Sequence, residues 1–202
     1  GSNDRVLSAS LRIAAIRETF EEVGLLFAMR RGSSKLVTCD SSETARRFRG
    51  YGEALRSGSM TFGDLLERED LVPVLDRLHF FAHWITPELM PMRYDTRFFV
   101  ALAPRGQEAL HDGREMTSHR WVTPREALED YHRNKFHMVV PTIVTLEELC
   151  RFNRAEEVIA SAAEKKIECV LTRLVIEDGE VQEHAPDGRI FRNLVPSPDN
   201  SE

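Results

Sequence analysis

R-E-T-F-E-E-V-G-L occupies residues 17–25. It gathers Glu18, Glu21 and Glu22, with Arg17 in front and Gly24 behind. Apolar side chains recur at Leu11, Ala14, Ala15, Ile16, Phe20, Val23 and Leu26, close to the 3.6-residue helical period. The spacing predicts a helix through about Val23, with Gly24 where a left-handed C-terminal cap belongs. On such a helix the three glutamates stand at i, i+3 and i+4 and share one face. Like charges at those spacings repel, each pair costing roughly 0.2–0.5 kcal/mol when exposed. Solvent or a cation must relieve that repulsion. A hard divalent ion such as Mg²⁺ takes oxygen ligands and keeps several waters, which suits three carboxylates on one face. A solvated, glutamate-rich helix surface is the ordinary alternative when the carboxylates are taken by themselves.

The surroundings narrow the choice. A chain of 202 residues, 42% hydrophobic and 30% charged, has material for one domain with a sizeable core. A net charge of −6 argues against a nucleic-acid surface built on bulk charge, but is compatible with a local basic pocket for a phosphorylated small molecule. Cys39, Cys150 and Cys169 are odd in number and form no C-x-x-C pair, which indicates a reducing compartment. No apolar run approaches the ~18 residues of a membrane span, and no signal peptide is visible. These features lead us to expect a cytoplasmic protein with a small-molecule partner and no nucleic-acid or membrane partner; a homodimer is left open. The chain opens G-S-N without methionine, in the manner of a cleavage scar, so further residues are expected upstream.

Along the chain, residues 41–70 read as two helices, one after Ser41-Ser42 and one starting near Thr61-Phe-Gly-Asp. L-H-F-F-A-H-W-I-T (78–86) and T-R-F-F-V-A-L-A (96–103) read as adjacent strands with a long connection. In period two, His79 and His83 share a face with Phe81, and Phe80, Phe81, Trp84, Phe98 and Phe99 are read as sheet core. H-R-W-V (119–122) reads as a short third strand running into a helix that Thr123 caps, with Pro124 first and Glu126 closing the capping box. Residues 141–152 and 154–166 read as helices split near Asn153. C-V-L-T-R-L-V-I and V-Q-E-H flank an Asp-Gly hairpin turn. The expected class is α+β in a single domain, 1–202: a glutamate helix (11–26), a helical insertion (41–75), sheet and loop (78–128), helices (141–166) and a hairpin (167–185). No P-loop or dinucleotide-binding glycine motif occurs.

The nonapeptide resembles the second half of the Nudix box, G-x5-E-x7-R-E-U-x-E-E-x-G-U, with every charged position and the glycine in register. Thr19 at an aliphatic slot is the loose fit. The resemblance implies a Nudix-type α/β/α sandwich with a mixed sheet and extra helices. It implies that Glu18, Glu21 and Glu22 ligate Mg²⁺ or Mn²⁺, that Arg17 orients the carboxylates, and that Gly24 terminates the helix. Glu21 and Glu22 would be catalytic, and Glu115, ahead of Trp121, sits in a loop from which some Nudix enzymes supply a further base or metal ligand. Glu108 and Asp112 share that loop and are read as solvated. Arg93 and Arg97 would grip phosphate or a base, with structural pairing to Asp95 as the alternative.

The first half of the box is missing, since its glutamate slot falls on Ala9 and its glycine slot on Asn3. L-R-I-A-A-I-R-E-T-F-E-E-V-G-L-L, M-R-Y-D-T-R-F-F-V-A, W-V-T-P-R-E-A-L and P-T-I-V-T-L-E-E-L are similar to the acyl-coenzyme A diphosphatase-like subgroup, which carries an insertion within the box. On that resemblance the first half and the N-terminal strands lie upstream of residue 1. The implied activity is metal-dependent hydrolysis of a pyrophosphate bond in a nucleoside diphosphate linked to another moiety. Coenzyme A or acyl-coenzyme A leads, with ADP-ribose, NADH and dinucleoside polyphosphates open, and a peroxisomal site is implied if the source is eukaryotic. The competing expectation is a catalytically silent Nudix-like binding or protein-interaction domain.

Overall fold

Helix boundaries follow the capping chemistry. In the computed structural model, which describes residues 2–109, 119–177 and 179–192, helix α1 (Ser2–Val23) ends where Gly24 takes φ +72° and its N–H bonds Phe20 O at 3.0 Å. Only glycine adopts that left-handed conformation without steric cost. Helix α2 (Ser42–Arg56) is capped by Ser41, and α3 (Phe62–Arg68) by a reciprocal Thr61–Asp64 capping box. Helix α4 (Pro124–His132) carries the expected Thr123–Glu126 box with proline in its first turn. Helices α5 (Val140–Leu149) and α6 (Ala155–Glu164) complete the set.

The chain gathers into two compact units, Gly1–Leu78 with Ala101–Trp121, and His79–Val100 with Val122–Glu202. In the first, Ile16 and Phe20 of α1 are buried, as are Phe48 of α2 and Leu65 of α3. Phe20 and Phe48 meet edge to face at 6.3 Å, and Phe48 meets Tyr51 in the same manner at 5.7 Å. Glu69 is buried beneath this cluster, accepting from Arg47 Nε and from Tyr51 Oη at 2.8 Å each. A two-stranded antiparallel sheet, β1 (Ala28–Arg30) with β2 (Leu71–Pro73), ties the segment after α1 to the end of α3. Three-residue strands offer no periodicity to read, and β2 falls in the stretch expected to be helical.

In the second unit, β3 (His79–Ile85) lies between antiparallel β4 (Asp95–Val100) and parallel β5 (Cys169–Leu171). That sheet is mixed, and the chain is α+β, as expected. A second sheet comprises β6 (Arg173–Glu177), β7 (Glu180–His184) and β8 (Ile190–Phe191), with the hairpin register Glu177↔Glu180 and Gly179 at φ +82°. The run C-V-L-T-R-L-V-I is therefore two strands, broken at buried Thr172. Phe81 and Trp84 are core, whereas Phe80, Phe98 and Phe99 are half-buried. Lys165 stands 4.2 Å from the Phe81 ring centroid and donates to Phe81 O at 2.9 Å and Glu148 at 2.5 Å.

Two strand readings are corrected. A bulge between Phe80 and Ala82 shifts the alternation of β3. His83 therefore packs with Phe80, ring centroids 6.1 Å apart, and not with Phe81. Residues 119–122 form no strand, and Trp121 is 71% exposed. A branched and aromatic tetrapeptide becomes a strand only beside another strand, and among the described residues no strand pairing includes it.

Candidate active site

Glu18, Glu21 and Glu22 ride on the last turns of α1. The negative end of the helix dipole lies there, so three carboxylates add to an adverse field as well as to one another. Cations answer part of this charge. Arg17 Nη1 bonds Glu21 Oε1 at 3.2 Å and Arg17 Nη2 bonds Glu18. Arg56 of α2 donates to the Glu21 carbonyl, one of the acceptors a helix end leaves without an intrahelical partner. Glu18 remains exposed, while Glu21 and Glu22 are half-buried. Among the described residues no three His, Cys, Asp or Glu side chains converge as a ready-made cage. The donor chemistry nevertheless fits a hard divalent cation, which commonly uses one or two carboxylates and completes its shell with water and phosphate oxygens.

Beside the end of α1 the first unit holds a cavity of about 250 Å³, lined by Phe20, Gly24, Arg49, Glu53, Arg56 and Glu108 among others. Cys39 lines it too, and burial, reinforced by the Asp40 carboxylate, pushes its thiol pKa up, so it stays protonated. Glu108 reaches this wall because its neighbours are clamped. Gln107 Nε2 donates to Leu26 O at 3.0 Å and Val37 O at 2.8 Å, while Leu26 N–H donates to Gln107 Oε1 at 2.8 Å. Gly106, at φ +71°, accepts from Cys39 N–H at 2.7 Å, and a Cβ there would lie 2.5 Å from Asp40 Oδ1. Glu108 is exposed, in keeping with its solvated reading, and also lines the cavity.

Arg93 and Arg97 belong to the second unit. Arg93 Nε donates to Thr86 O at 3.1 Å and Arg97 Nη1 to Asp95 Oδ1 at 2.9 Å, with His83 Nε2 on the same carboxylate oxygen at 2.5 Å. Asp95 is therefore held below the usual carboxylate range, first by His83 and then by Arg97. Both arginines have structural partners on their own strand or loop. Glu115, with His111 and Asp112, lies outside the described residues. Arg49, Glu53 and Arg56 line the cavity without any sequence signal of it, since they are spread over α2 in a charged helix whose pattern resembles any solvated face.

The comparison with known proteins falls on this arrangement. The model of the NUDT19 Nudix domain matches residues 5–152, which takes in the glutamate helix, α2 and the clamped loop. The chain belongs to the NUDT19 Nudix domain family. Among its relatives is the acyl-coenzyme A diphosphatase NUDT19 of Xenopus laevis, 31% identical over 150 residues, covering 70% of this chain and 39% of that protein. The protein of the same name from Gallus gallus is 26% identical over 171 residues, covering 79% of this chain and 45% of that one. The chain thus spans less than half the length of these curated relatives. A crystal structure of a NUDIX hydrolase from Alicyclobacillus acidocaldarius is similar with a TM-score of 0.60 and 26% identity, over 78% of this chain and 67% of that one. The Nudix superfamily stated from the nonapeptide and the subgroup stated from the stretches around it agree with the family found.

Proposed function

We propose that this NUDT19 Nudix domain hydrolyses the pyrophosphate bond of a nucleoside diphosphate linked to another moiety, in a divalent-metal-dependent reaction, with coenzyme A or acyl-coenzyme A as the leading substrate. The observation that carries the reading is the meeting of crowded carboxylates on the dipole-disfavoured end of α1 with an arginine-bearing cavity beside it. The names of the relatives supply the substrate class. Glu18, Glu21 and Glu22 would hold Mg²⁺ or Mn²⁺, and a bound ion of that kind neutralises phosphate charge and acidifies water.

The chain's own residues divide the remaining work. Arg17 holds Glu18 and Glu21 in one orientation. Arg49 and Arg56 present cationic charge to a phosphate in the cavity. Glu53 and Glu108 are carboxylates that line the same cavity and are candidates for the base, and Glu115 is proposed as a further base on the family resemblance.

The test is hydrolysis of a panel (coenzyme A, acyl-coenzyme A, ADP-ribose, NADH, a dinucleoside polyphosphate) with Mg²⁺, with Mn²⁺ and with chelator. We expect metal-dependent turnover that Glu21→Gln and Glu22→Gln each reduce by about 100-fold or more, a loss of some 2–3 kcal/mol in transition-state stabilisation. Turnover indifferent to both substitutions sinks the metal-site assignment. The second reading, a silent binding domain, is motivated by Ala9 and Asn3 standing in the glutamate and glycine slots of the box. Panel members that bind without being turned over, with or without metal, would establish it.

A further inference from the structure

Arg56, in the last turn of α2, reaches across to the end of α1. As α1 closes, the Gly24 N–H takes Phe20 O, and the next carbonyl, that of Glu21, accepts from Arg56 Nη1. Long side chains on a helix lean back toward its N-terminus, over the residue four positions earlier. For Arg56 that residue is Gly52, which is buried. A Cβ built at Gly52 would lie 3.2 Å from Arg56 Nη1 and 3.9 Å from Arg56 Cζ and Nη2. A glycine inside a helix is destabilising relative to alanine. At this position it leaves open the seat from which Arg56 reaches α1.

The bond differs in kind from those of the other arginines nearby. Arg17 answers the side chains of Glu18 and Glu21, and Arg47 answers that of Glu69. Arg56 makes no ion pair among the described residues and bonds backbone. It is half-buried and lines the cavity beside α1. The carbonyl it holds belongs to the turn that carries all three crowded carboxylates. Its charge also opposes the negative dipole ends of α1 and α2, both of which finish there.

We propose that Arg56 is a positioning residue of the carboxylate site, seated over Gly52. Through the Glu21 carbonyl it fixes the turn bearing Glu18, Glu21 and Glu22. Arg17 orders the side chains and Arg56 the backbone beneath them, so the three carboxylates present one geometry to a divalent cation. The inference rests on the reading of those glutamates as the holders of Mg²⁺ or Mn²⁺. Charge and position lead to opposite outcomes here. A guanidinium near the site repels a metal ion, so losing its charge alone would tighten metal binding. Losing a support loosens it.

Electron paramagnetic resonance of free Mn²⁺, titrated into the protein without substrate, keeps this role apart from any contact with phosphate. Thermal midpoints are measured alongside. We expect Arg56→Met to raise the Mn²⁺ dissociation constant about tenfold, the lower end of what outer-shell partners contribute. Arg49→Met removes the same charge from the same cavity but no bond to α1 among the described residues. It should leave the constant unchanged or lower it. Gly52→Ala keeps every atom of Arg56 but crowds its seat. It should raise the constant by less, while its thermal midpoint holds or rises. Mn²⁺ binding that is absent, or that Glu21→Gln does not weaken, overturns the metal-site reading and the role of Arg56 together. Binding that Glu21→Gln weakens but Arg56→Met leaves unchanged or tightens overturns the role of Arg56 alone, as does an equal loss in Arg49→Met. So does a loss in Arg56→Met that comes with a lowered midpoint and has no counterpart in Gly52→Ala, which would make Arg56 a helix cap and no more.

Discussion

Thr19 stands where the Nudix box asks for a bulky aliphatic residue. Its hydroxyl donates to Ala15 O at 2.7 Å, so the polar atom is satisfied inside the helix and the methyl serves as the aliphatic group. Thr19→Val should therefore leave both turnover and thermal midpoint nearly unchanged, within about 0.5 kcal/mol. Two buried glutamates behave oppositely with pH. Burial raises Glu183 above the ordinary 4.5, so its contribution is present below that value and lost as pH rises through the folded pKa. Burial also works to raise Glu69, but bonds from Arg47 and Tyr51 outweigh it and leave the pKa lowered from 4.5. Its contribution is present above 4.5 and lost as pH falls through the folded pKa. Urea midpoints measured across pH should show a flatter alkaline-side decline in Glu183→Gln and a flatter acid-side decline in Glu69→Gln. Glu69→Ala, which strands Arg47 and Tyr51, should cost about 2–4 kcal/mol at neutral pH.

At the scale of elements, legibility tracked how many residues a signal spans. The α1 period, the Thr61 and Thr123 caps and the Gly24 terminator are chemical requirements written in local sequence, and each is where it was expected. The strands β1, β2, β5 and β8 are two or three residues long and exist by virtue of partners far along the chain. The bulge in β3 is likewise a property of its pairing with β4, and it moved His83 to the other face. Glycine substitutions rank these requirements. Gly24→Ala should cost about 1–2 kcal/mol, the penalty of a left-handed residue with a Cβ. Gly106→Ala should cost somewhat more, about 1–3 kcal/mol, because the same backbone penalty is joined by a Cβ contact with Thr38 at 3.1 Å, while the exposed Asp40 carboxylate can swing aside. Circular-dichroism melts of the two variants check the order.

Across the whole molecule, the glutamate face was readable because one helix carries it, whereas the cavity beside it was not, because α2 and the 106–108 loop build it from remote sequence. Arg49 and Arg56 have no motif of their own; both line the cavity, and Arg56 reaches α1 through its bond to the Glu21 carbonyl. If Glu18, Glu21 and Glu22 hold a cation in the folded chain alone, Mg²⁺ or Mn²⁺ at about 100 times its dissociation constant should add about 2.7 kcal/mol of stability. Melts with metal and with chelator should then diverge for the native sequence and coincide for Glu21→Gln.

The clamp that Gln107 makes on Leu26 joins positions 81 residues apart. During synthesis at about 5–20 residues per second, roughly 4–16 seconds separate the completion of α1 from the emergence of Gln107. For that interval the glutamate helix can form by local bonds alone, while the wall carrying Glu108 does not yet exist. A nascent chain arrested before Gln107 would present the acidic helix without the clamp that carries Glu108 to the cavity.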